Sequence, residues 1–407
     1  MSSEIKADKW SPATGTSATL GDSGDTFTIP SGVTLTNSGT ASGFGITAAN
    51  FRPNAQPLII NGDFNVEQRQ STSSTGWTSL PSGTYVNKDR WKYIINDVGT
   101  WTIGGGAAGP TDYGFAKSLW LDNTTPDASL AAASLLAVVQ PIEAQNCKIF
   151  NWGTSRAEKI TVGFWVKATK TGTYIAELLQ ADSDRICCQS YTVSSTDTWE
   201  FKVLNYGADT SGSVNDDNGS GLELRFYLAA GSNYTSGTLA TTWAARSNTN
   251  RAVGQVNAAD ADCNWQIAGV QLELGEFSSS TLPPFQHETY GDNLLRCQRY
   301  FCMNQNSTQM TGSCNGSAQW NNASFYCPVS MRSTPSVENF SGVNFWFDDG
   351  TAGADTSVTI ADIKHVSNTN NINCNINSMS GLTDNKMISG YVNTTSDSIN
   401  VEWSAEL

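Results

Sequence analysis

Few side chains in this sequence combine the types and the spacing that covalent catalysis needs. The run GDSGD at 21–25 places a serine between glycine and aspartate, a context that can hold a nucleophile. Such a serine also needs a histidine base that an acidic group orients. The two histidines, His287 and His365, lie far along the chain in segments that offer no such arrangement. We therefore expect no protease activity.

Pairs of carboxylates would indicate another chemistry, hydrolysis of a glycosidic bond. That reaction needs two carboxylates roughly 5 to 10 Å apart across a groove. The best candidates, Asp216 with Asp217 and Asp348 with Asp349, are sequence neighbours and are more typical of turns. The sequence therefore predicts a protein that is not an enzyme, and a polysaccharide depolymerase remains the alternative.

Aromatic side chains among amide and hydroxyl residues indicate a third chemistry, sugar binding. An exposed ring can stack on the apolar face of a sugar while neighbouring polar groups bind its hydroxyls. Residues 300–407 are rich in Asn, Ser and Thr, and we predict Trp320, Trp346 and Tyr391 as carbohydrate-binding residues there. Most other tryptophans are expected in the core, and a minority could form an exposed platform. They are Trp77, Trp91, Trp101, Trp120, Trp152, Trp165, Trp199, Trp243 and Trp265.

The cysteines predict free thiols rather than a metal site or a disulfide framework. The 9 cysteines include no CxxC pair, and no histidine has zinc-ligand spacing. Cys187 and Cys188 would point to opposite faces of a strand. We predict buried thiols and neither a metal nor a cofactor.

Composition and charge exclude several functional classes. The net charge is −14, which would repel the phosphates of nucleic acid. Charged residues are only 15% of the chain, so Ser, Thr, Asn and Gly supply the polar surface, as they do in β-rich proteins. The N-terminus lacks the apolar core of a signal peptide, and the longest apolar run, near Leu130–Val139, is too short to span a bilayer.

Alternating apolar residues predict a sandwich of many short strands. In the segment at 160–179, one strand ends near Lys170 to Gly172 and the chain then returns along a second. We also predict strands in the segment at 58–70, where an Asn-Gly turn interrupts an apolar run, and at Leu135–Gln140. The long Asn-rich segment at 366–385 is predicted to be a connecting loop.

The segment from Asn264 to Met303 marks the end of one domain and the start of the next. Its first strand changes alternation at Ala268 and Gly269, which indicates a β-bulge. The prolines at 283 and 284 then take the chain out of the sheet. Asp292 is predicted to cap a short helix before a new strand begins.

Residues 1–57 contain no plausible core of their own. Phe27, Ile29, Val33 and Leu35 alternate with threonines on either side of a Pro-Ser-Gly turn, which predicts two thin strands. Because such a ribbon is marginal alone, we predict that three chains wrap together here and form a homotrimer.

These segments together resemble tail fibre proteins of marine tailed bacteriophages. The resemblance lies in SEIKADKW near the N-terminus, in NGDF followed by DRW, in QLELG and CQRYF at the junction, and in MRSTPSV beyond it. It implies an all-β fold with an N-terminal intertwined β ribbon (1–57), a central jelly roll similar to galactose-binding-like or carbohydrate-binding modules (58–290) and a C-terminal β-sandwich tip domain (291–407).

The same resemblance implies a virion appendage, with host synthesis followed by assembly into the particle. The N-terminus would bind other tail or capsid proteins, and residues 300–407 would contact a host surface glycan or outer-membrane receptor. A capsid or neck fibre is the alternative. Related modules often hold calcium near the first and last strands, which would involve Asp63. Gln271 stands where many of them have an aspartate, so no metal is predicted.

Overall fold

The computed structural model describes residues 56–69, 74–104, 106–304, 309–314, 319–339, 344–348, 353–357, 363–365, 369, 371–377, 387–393 and 401–407. All of them belong to one compact unit, Ala49–Leu407. The ribbon predicted in 1–57 lies outside the described residues, except for its last two positions. No helix in these ranges is long and apolar enough to cross a membrane.

The described chain is all-β, as the sequence predicts. An 11-stranded antiparallel sheet occupies the first part of it. Its strands are β1 (Ser74–Tyr85), β2 (Lys92–Gly104), β3 (Leu119–Thr125), β4 (Leu135–Glu143), β5 (Ile160–Ala168), β6 (Gly172–Gln180), β7 (Arg185–Val193), β8 (Glu200–Tyr206), β9 (Ser220–Ala230), β10 (Ala244–Ala245) and β11 (Asn264–Leu274). The strand predicted at Leu135–Gln140 is confirmed, because β4 contains it.

This sheet folds over on itself at β2 and encloses the core. The first half of β2 pairs with β4 and the second half pairs with β3, and Asp97 and Gly99 between them adopt positive φ. One half of the sandwich has the order β10-β7-β6-β9-β4, and the other has the order β3-β11-β5-β8. The rings of Phe164 on β5 and Phe226 on β9 lie 5.0 Å apart and join the two halves.

Two predicted local structures differ from those observed. Strands β5 and β6 form no hairpin, because β5 pairs with β8 and β11 while β6 pairs with β7 and β9. The connection between them crosses from one half of the sandwich to the other. The segment at 58–69 forms bends rather than a strand. The Asn61 side chain holds it there by bonding both the N–H and the C=O of Val66.

The β11 bulge and the helix after it shape the end of the sandwich. The register shift falls between Ala268 and Gln271, which confirms the predicted bulge. Helix α2 (Tyr290–Gln298) follows, but Asp292 is not its cap. Thr289 is the N-cap and accepts a hydrogen bond from the Asp292 N–H, so Asp292 lies in the first turn. Helix α1 (Ser232–Thr235) is a single turn elsewhere in the sandwich.

The C-terminal region adds two further sheets, one with the order β12-β21-β15 and one with the order β17-β16-β20-β13-β14-β19-β18. Their strands are β12 (Phe301–Asn304), β13 (Gln309–Cys314), β14 (Trp320–Tyr326), β15 (Ser336–Asn339), β16 (Asn344–Asp348), β17 (Gly353–Ser357), β18 (Ile363–His365), β19 (Asn371–Ile376), β20 (Met387–Asn393) and β21 (Val401–Ser404). The Asn-rich segment at 366–385 is therefore not a loop throughout, because it contains β19.

The last residues of the chain pack against the sandwich. Strand β21 lies between β12 and β15. The Glu406 carboxylate forms ion pairs with the buried guanidinium groups of Arg69 and Arg90. The hydroxyl of Tyr85 and the ammonium of Lys92 donate to the carbonyl of Leu407, at 3.0 and 3.3 Å. These polar contacts therefore join the two regions that were predicted to meet at 290–291.

The predicted thiol state agrees with the structure for the cysteines whose side chains it describes. Cys147, Cys187, Cys188, Cys263, Cys297, Cys302 and Cys327 are free and buried. Burial raises the pKa of the Cys147 thiol above its ordinary value. This thiol is therefore a poor nucleophile at neutral pH.

Candidate aromatic cleft

A cleft of about 390 Å³ lies on the outer surface of the sandwich, over β5, β8 and β11. Its volume is within the range of small-molecule sites. Aromatic side chains dominate its lining. The lining residues are Tyr113, Phe115, Trp165, Phe201, Gly269, Gln271, Leu282, Pro283, Pro284, Phe285 and His287.

Trp165 and Phe201 form the floor of the cleft. In β5, Phe164 and Val166 are fully buried in the core, so alternation places Trp165 on the outer face. Trp165 pairs directly with Phe201 of β8, and their ring centroids lie 5.2 Å apart. Both residues are only half-buried, which leaves ring surface available at the bottom of a concave site.

The β11 bulge anchors one wall. Gly269 has φ +59, and a Cβ there would lie 2.5 Å from the Phe115 ring. Only glycine combines this conformation with enough room for the ring. Phe115 is consequently buried against β11 and fixes the end of the loop that carries the 3₁₀ turn Thr111–Tyr113.

The chain that leaves β11 forms the opposite wall. Leu282 and Pro283 are buried against the sheet, and the Gln271 amide donates to the Pro283 carbonyl at 3.2 Å. A side chain at Gly163 of β5 would lie 2.4 Å from the Leu282 methyl, so the close approach of this wall requires glycine. Further along, the ring of Phe285 meets Phe115 edge-on at 5.0 Å.

The lining contains no lysine, arginine, aspartate or glutamate. Lysines on the strands beneath it are paired within the chain. Lys167 lies 3.3 Å from Asp197, and Lys202 lies 2.6 Å from Glu200.

Next to the cleft, Thr161 donates to Asn205 at 2.6 Å, and the exposed Asn205 amide bonds the Phe277 carbonyl. Such a site can stack flat apolar surfaces and offer hydrogen bonds at its edge.

The three residues predicted to bind carbohydrate lie elsewhere, in the C-terminal sheet. Trp320 is fully buried, and its indole covers Gly312 of β13, so it offers no exposed ring to a sugar. Trp346 of β16 and Tyr391 of β20 are direct cross-strand partners. Their side chains lie outside the described part of the structure, and their role in sugar binding remains a prediction.

The other candidate chemistries find little support among described residues. GDSGD lies outside them. Asp217 bonds the Gly219 N–H at 2.8 Å, as a turn residue does, and Asp216 beside it is exposed. His365 lies in β18, whereas His287 joins the cleft.

The Asp63 carboxylate, which could have held calcium, accepts hydrogen bonds within the chain. Both Asp63 carboxylate oxygens accept from side-chain amides, of Asn65 at 2.6 Å and of Asn293 at 3.1 Å. Gln271 bonds Pro283, as described above. No cluster of three or more His, Cys, Asp or Glu arranged for a metal occurs in the described ranges.

Of the cleft residues, only Trp165 was anticipated from the sequence, as one of the tryptophans that could form an exposed platform, although one stronger signal for it was present. Because Phe164 and Val166 point into the core, Trp165 places a large aromatic side chain on the outer face of β5, where a polar residue is usual. The sequence contains no comparable signal for Tyr113 or Phe285, which reach the cleft from separate loops.

No protein-family model and no curated protein matches this chain. Solved structures similar to part of it include the enzymatically active domain of tailspike protein 4 of bacteriophage CBA120. That alignment has 14% identity and a TM-score of 0.29, and it covers 54% of this chain and 21% of the tailspike. A putative sugar-binding protein from Bacteroides thetaiotaomicron matches at 12% identity over 54% of this chain and 100% of its own, with a TM-score of 0.29. The N-terminal cellulose-binding domain of Cellulomonas fimi β-1,4-glucanase C matches at 12% identity over 55% of this chain and 100% of its own, with a TM-score of 0.26.

Proposed function

We propose that this chain binds a carbohydrate in the aromatic cleft and acts as a receptor-binding fibre of a bacterial virus. The observation that carries the proposal is the pair Trp165 and Phe201. These half-buried rings lie side by side at the bottom of a concave surface. By contrast, the Trp91, Trp101 and Trp265 side chains are fully buried in the core, whereas Trp165 lies on the outer face of the sheet.

Ring stacking suits a sugar because its C–H faces are apolar while its hydroxyls still need hydrogen-bond partners. The cleft supplies rings at its base, and its edge carries the exposed His287 side chain beside them. The uncharged lining, in a chain of net charge −14, favours a neutral glycan over an anionic one.

Binding without hydrolysis is part of the proposal. The lining residues include no aspartate or glutamate, whereas glycoside hydrolysis uses two carboxylates that flank the scissile bond. We therefore propose that the bound glycan is retained intact. Release of reducing ends from a bound polysaccharide would instead support a depolymerase.

The viral role is supported by the sequence resemblance at QLELG, CQRYF and MRSTPSV. We propose a homotrimer in the virion, whose N-terminal segment at 1–57 holds it to tail or capsid proteins. A capsid or neck fibre would have the same parts. Cryo-electron microscopy of the particle would distinguish these attachment points.

The test of glycan binding uses the full chain and its variants Trp165→Ala and Phe201→Ala. Wild-type protein is screened on an array of bacterial surface glycans and neutral plant oligosaccharides, and the best binder is titrated calorimetrically. Loss of a central stacking ring should weaken binding more than about tenfold. Tyr290→Ala is the control, because Tyr290 is 60% exposed and lies outside the cleft lining.

Two results would contradict the proposal. The first is an array with no bound glycan. The second is binding that the two cleft variants leave unchanged while exchange of residues 300–407 with a related virus transfers host range. That second result would place the receptor site in the C-terminal region, where Trp346 and Tyr391 lie.

A further inference from the structure

The ring of Tyr113 lies directly on Trp165. Their centroids are 3.9 Å apart and their planes are inclined by 32°. Carbon atoms in van der Waals contact are about 3.5–4.0 Å apart, so no third ring fits between these two. The Trp165 surface that faces Tyr113 is therefore covered.

The Tyr113 side chain has freedom to leave this position. The residue is 59% exposed, although its ring contacts the cleft floor. It lies at the end of a single 3₁₀ turn that has no side-chain cap, and Gly114 follows with φ +87. Phe115, two residues further on, packs against β11 and anchors the loop, so rotation of the Tyr113 side chain does not require the loop to move. Exposed side chains rotate within nanoseconds.

We infer that Tyr113 occupies the place of a sugar ring on Trp165 and that a glycan must displace it to bind. This inference rests on the proposed function of the cleft, and it adds that the free cleft is closed by its own side chain. Tyr113 is then a competitor of the ligand rather than part of its binding platform. Its hydroxyl-bearing ring has the same combination of a flat apolar face and a polar edge that a sugar presents.

The competitor role and the platform role predict opposite effects of one substitution. If Tyr113 must leave Trp165, its removal abolishes the cost of breaking the ring pair, and affinity should rise about two- to tenfold. If Tyr113 helps to hold the sugar, its removal should lower affinity. The sign of the change therefore decides between them.

The experiment titrates the full-length chain and its variants with the glycan that the array identifies. Tyr113→Ala should bind more tightly than wild type, Trp165→Ala should lose binding, and the control Tyr290→Ala should match wild type. Tyr113 and Tyr290 are matched in type and exposure, at 59% and 60%. Weaker binding by Tyr113→Ala would overturn the inference while leaving the proposed function intact. Unchanged binding by Trp165→Ala would overturn both.

A second measurement needs no glycan. Acrylamide quenching of tryptophan fluorescence is compared between wild type and Tyr113→Ala, each with and without Trp165→Phe to isolate the Trp165 contribution. Uncovering of the indole should increase quenching only in the variant that retains Trp165. Equal quenching of wild type and Tyr113→Ala would show that Tyr113 does not cover Trp165 in solution.

Discussion

The Glu143 carboxylate at the end of β4 accepts two hydrogen bonds from the Arg299 guanidinium, at 2.7 and 2.8 Å. The Tyr300 hydroxyl donates to the same carboxylate at 2.5 Å. Glu143 is fully buried, so these bonds join the sandwich to the chain that leads into β12 within a protected environment. The contact is a sensitive point for the stability of the junction.

Substitution of Glu143 should destabilise the protein in a pH-dependent way. Burial tends to raise the pKa of this carboxyl, but the bonds from Arg299 and Tyr300 hold its pKa below the ordinary value of 4.5. A depressed folded-state pKa contributes stability above the unfolded pKa, and that stability is lost as pH falls through the folded value. We expect Glu143→Gln to cost about 2 kcal/mol at pH 7.

The measurement for Glu143 is chemical denaturation of wild type and Glu143→Gln at neutral pH and at several values below 4.5. The gap between their free energies of unfolding should narrow as pH falls. A gap that stays constant down to pH 3 would show that the Glu143 charge does not stabilise the fold.

Loss of the Glu406 charge should be more severe. Its carboxylate pairs with Arg90 and with Arg69, whose side chains are only 1% and 6% exposed. Breaking a buried pair from one side leaves uncompensated charge, at a cost of about 3–5 kcal/mol. We expect Glu406→Gln to lower the urea midpoint strongly. Glu338→Gln is the control, because Glu338 is 40% exposed and 3.7 Å from Arg69, and its effect should stay below about 1 kcal/mol.

Gly269→Ala should damage both stability and the cleft. The backbone has φ +59, and the added methyl would overlap Phe115, so we expect a loss of about 1–3 kcal/mol. Gly291→Ala is the matched control in α2, where a methyl meets nothing within 4 Å and alanine favours the helix. Thermal unfolding and glycan titration of both variants check this. Unaltered binding by Gly269→Ala would mean that the wall around Phe115 is not needed.

The trimer prediction concerns residues outside the described ranges. Light scattering coupled to size exclusion should give three times the 43.6 kDa chain mass. Serine substitutions at Phe27, Ile29, Val33 and Leu35 should lower the mass to that of one chain without unfolding the sandwich. A wild-type protein that elutes as a monomer would contradict the prediction.

The sequence by itself determined those features whose signal is local. Alternation of period two places Phe164, Val166 and Leu224 in the core, because each side chain of a strand faces opposite to its neighbour. The bulge in β11 was likewise readable, since a change of alternation at Ala268 and Gly269 has no other simple cause. The seven cysteines whose side chains the structure describes are free and buried, as the absence of paired spacing indicated.

Only the tertiary structure decided which strands pair and which loops meet. A hairpin and a crossover of β5 and β6 would have the same alternating sequence pattern. The two differ only in the strands that pair with β5 and β6, and those strands are distant in sequence. For the same reason the sequence predicted an exposed ring at Trp320, whereas the packing of β14 beside β13 buries it. Tyr113, Trp165 and Phe285 meet in the cleft although more than a hundred residues separate the first from the last. One wall of the cleft also depends on the β11 bulge, whose glycine leaves room for the Phe115 ring. Contacts of that range depend on the packing of the whole sandwich, which no local pattern encodes.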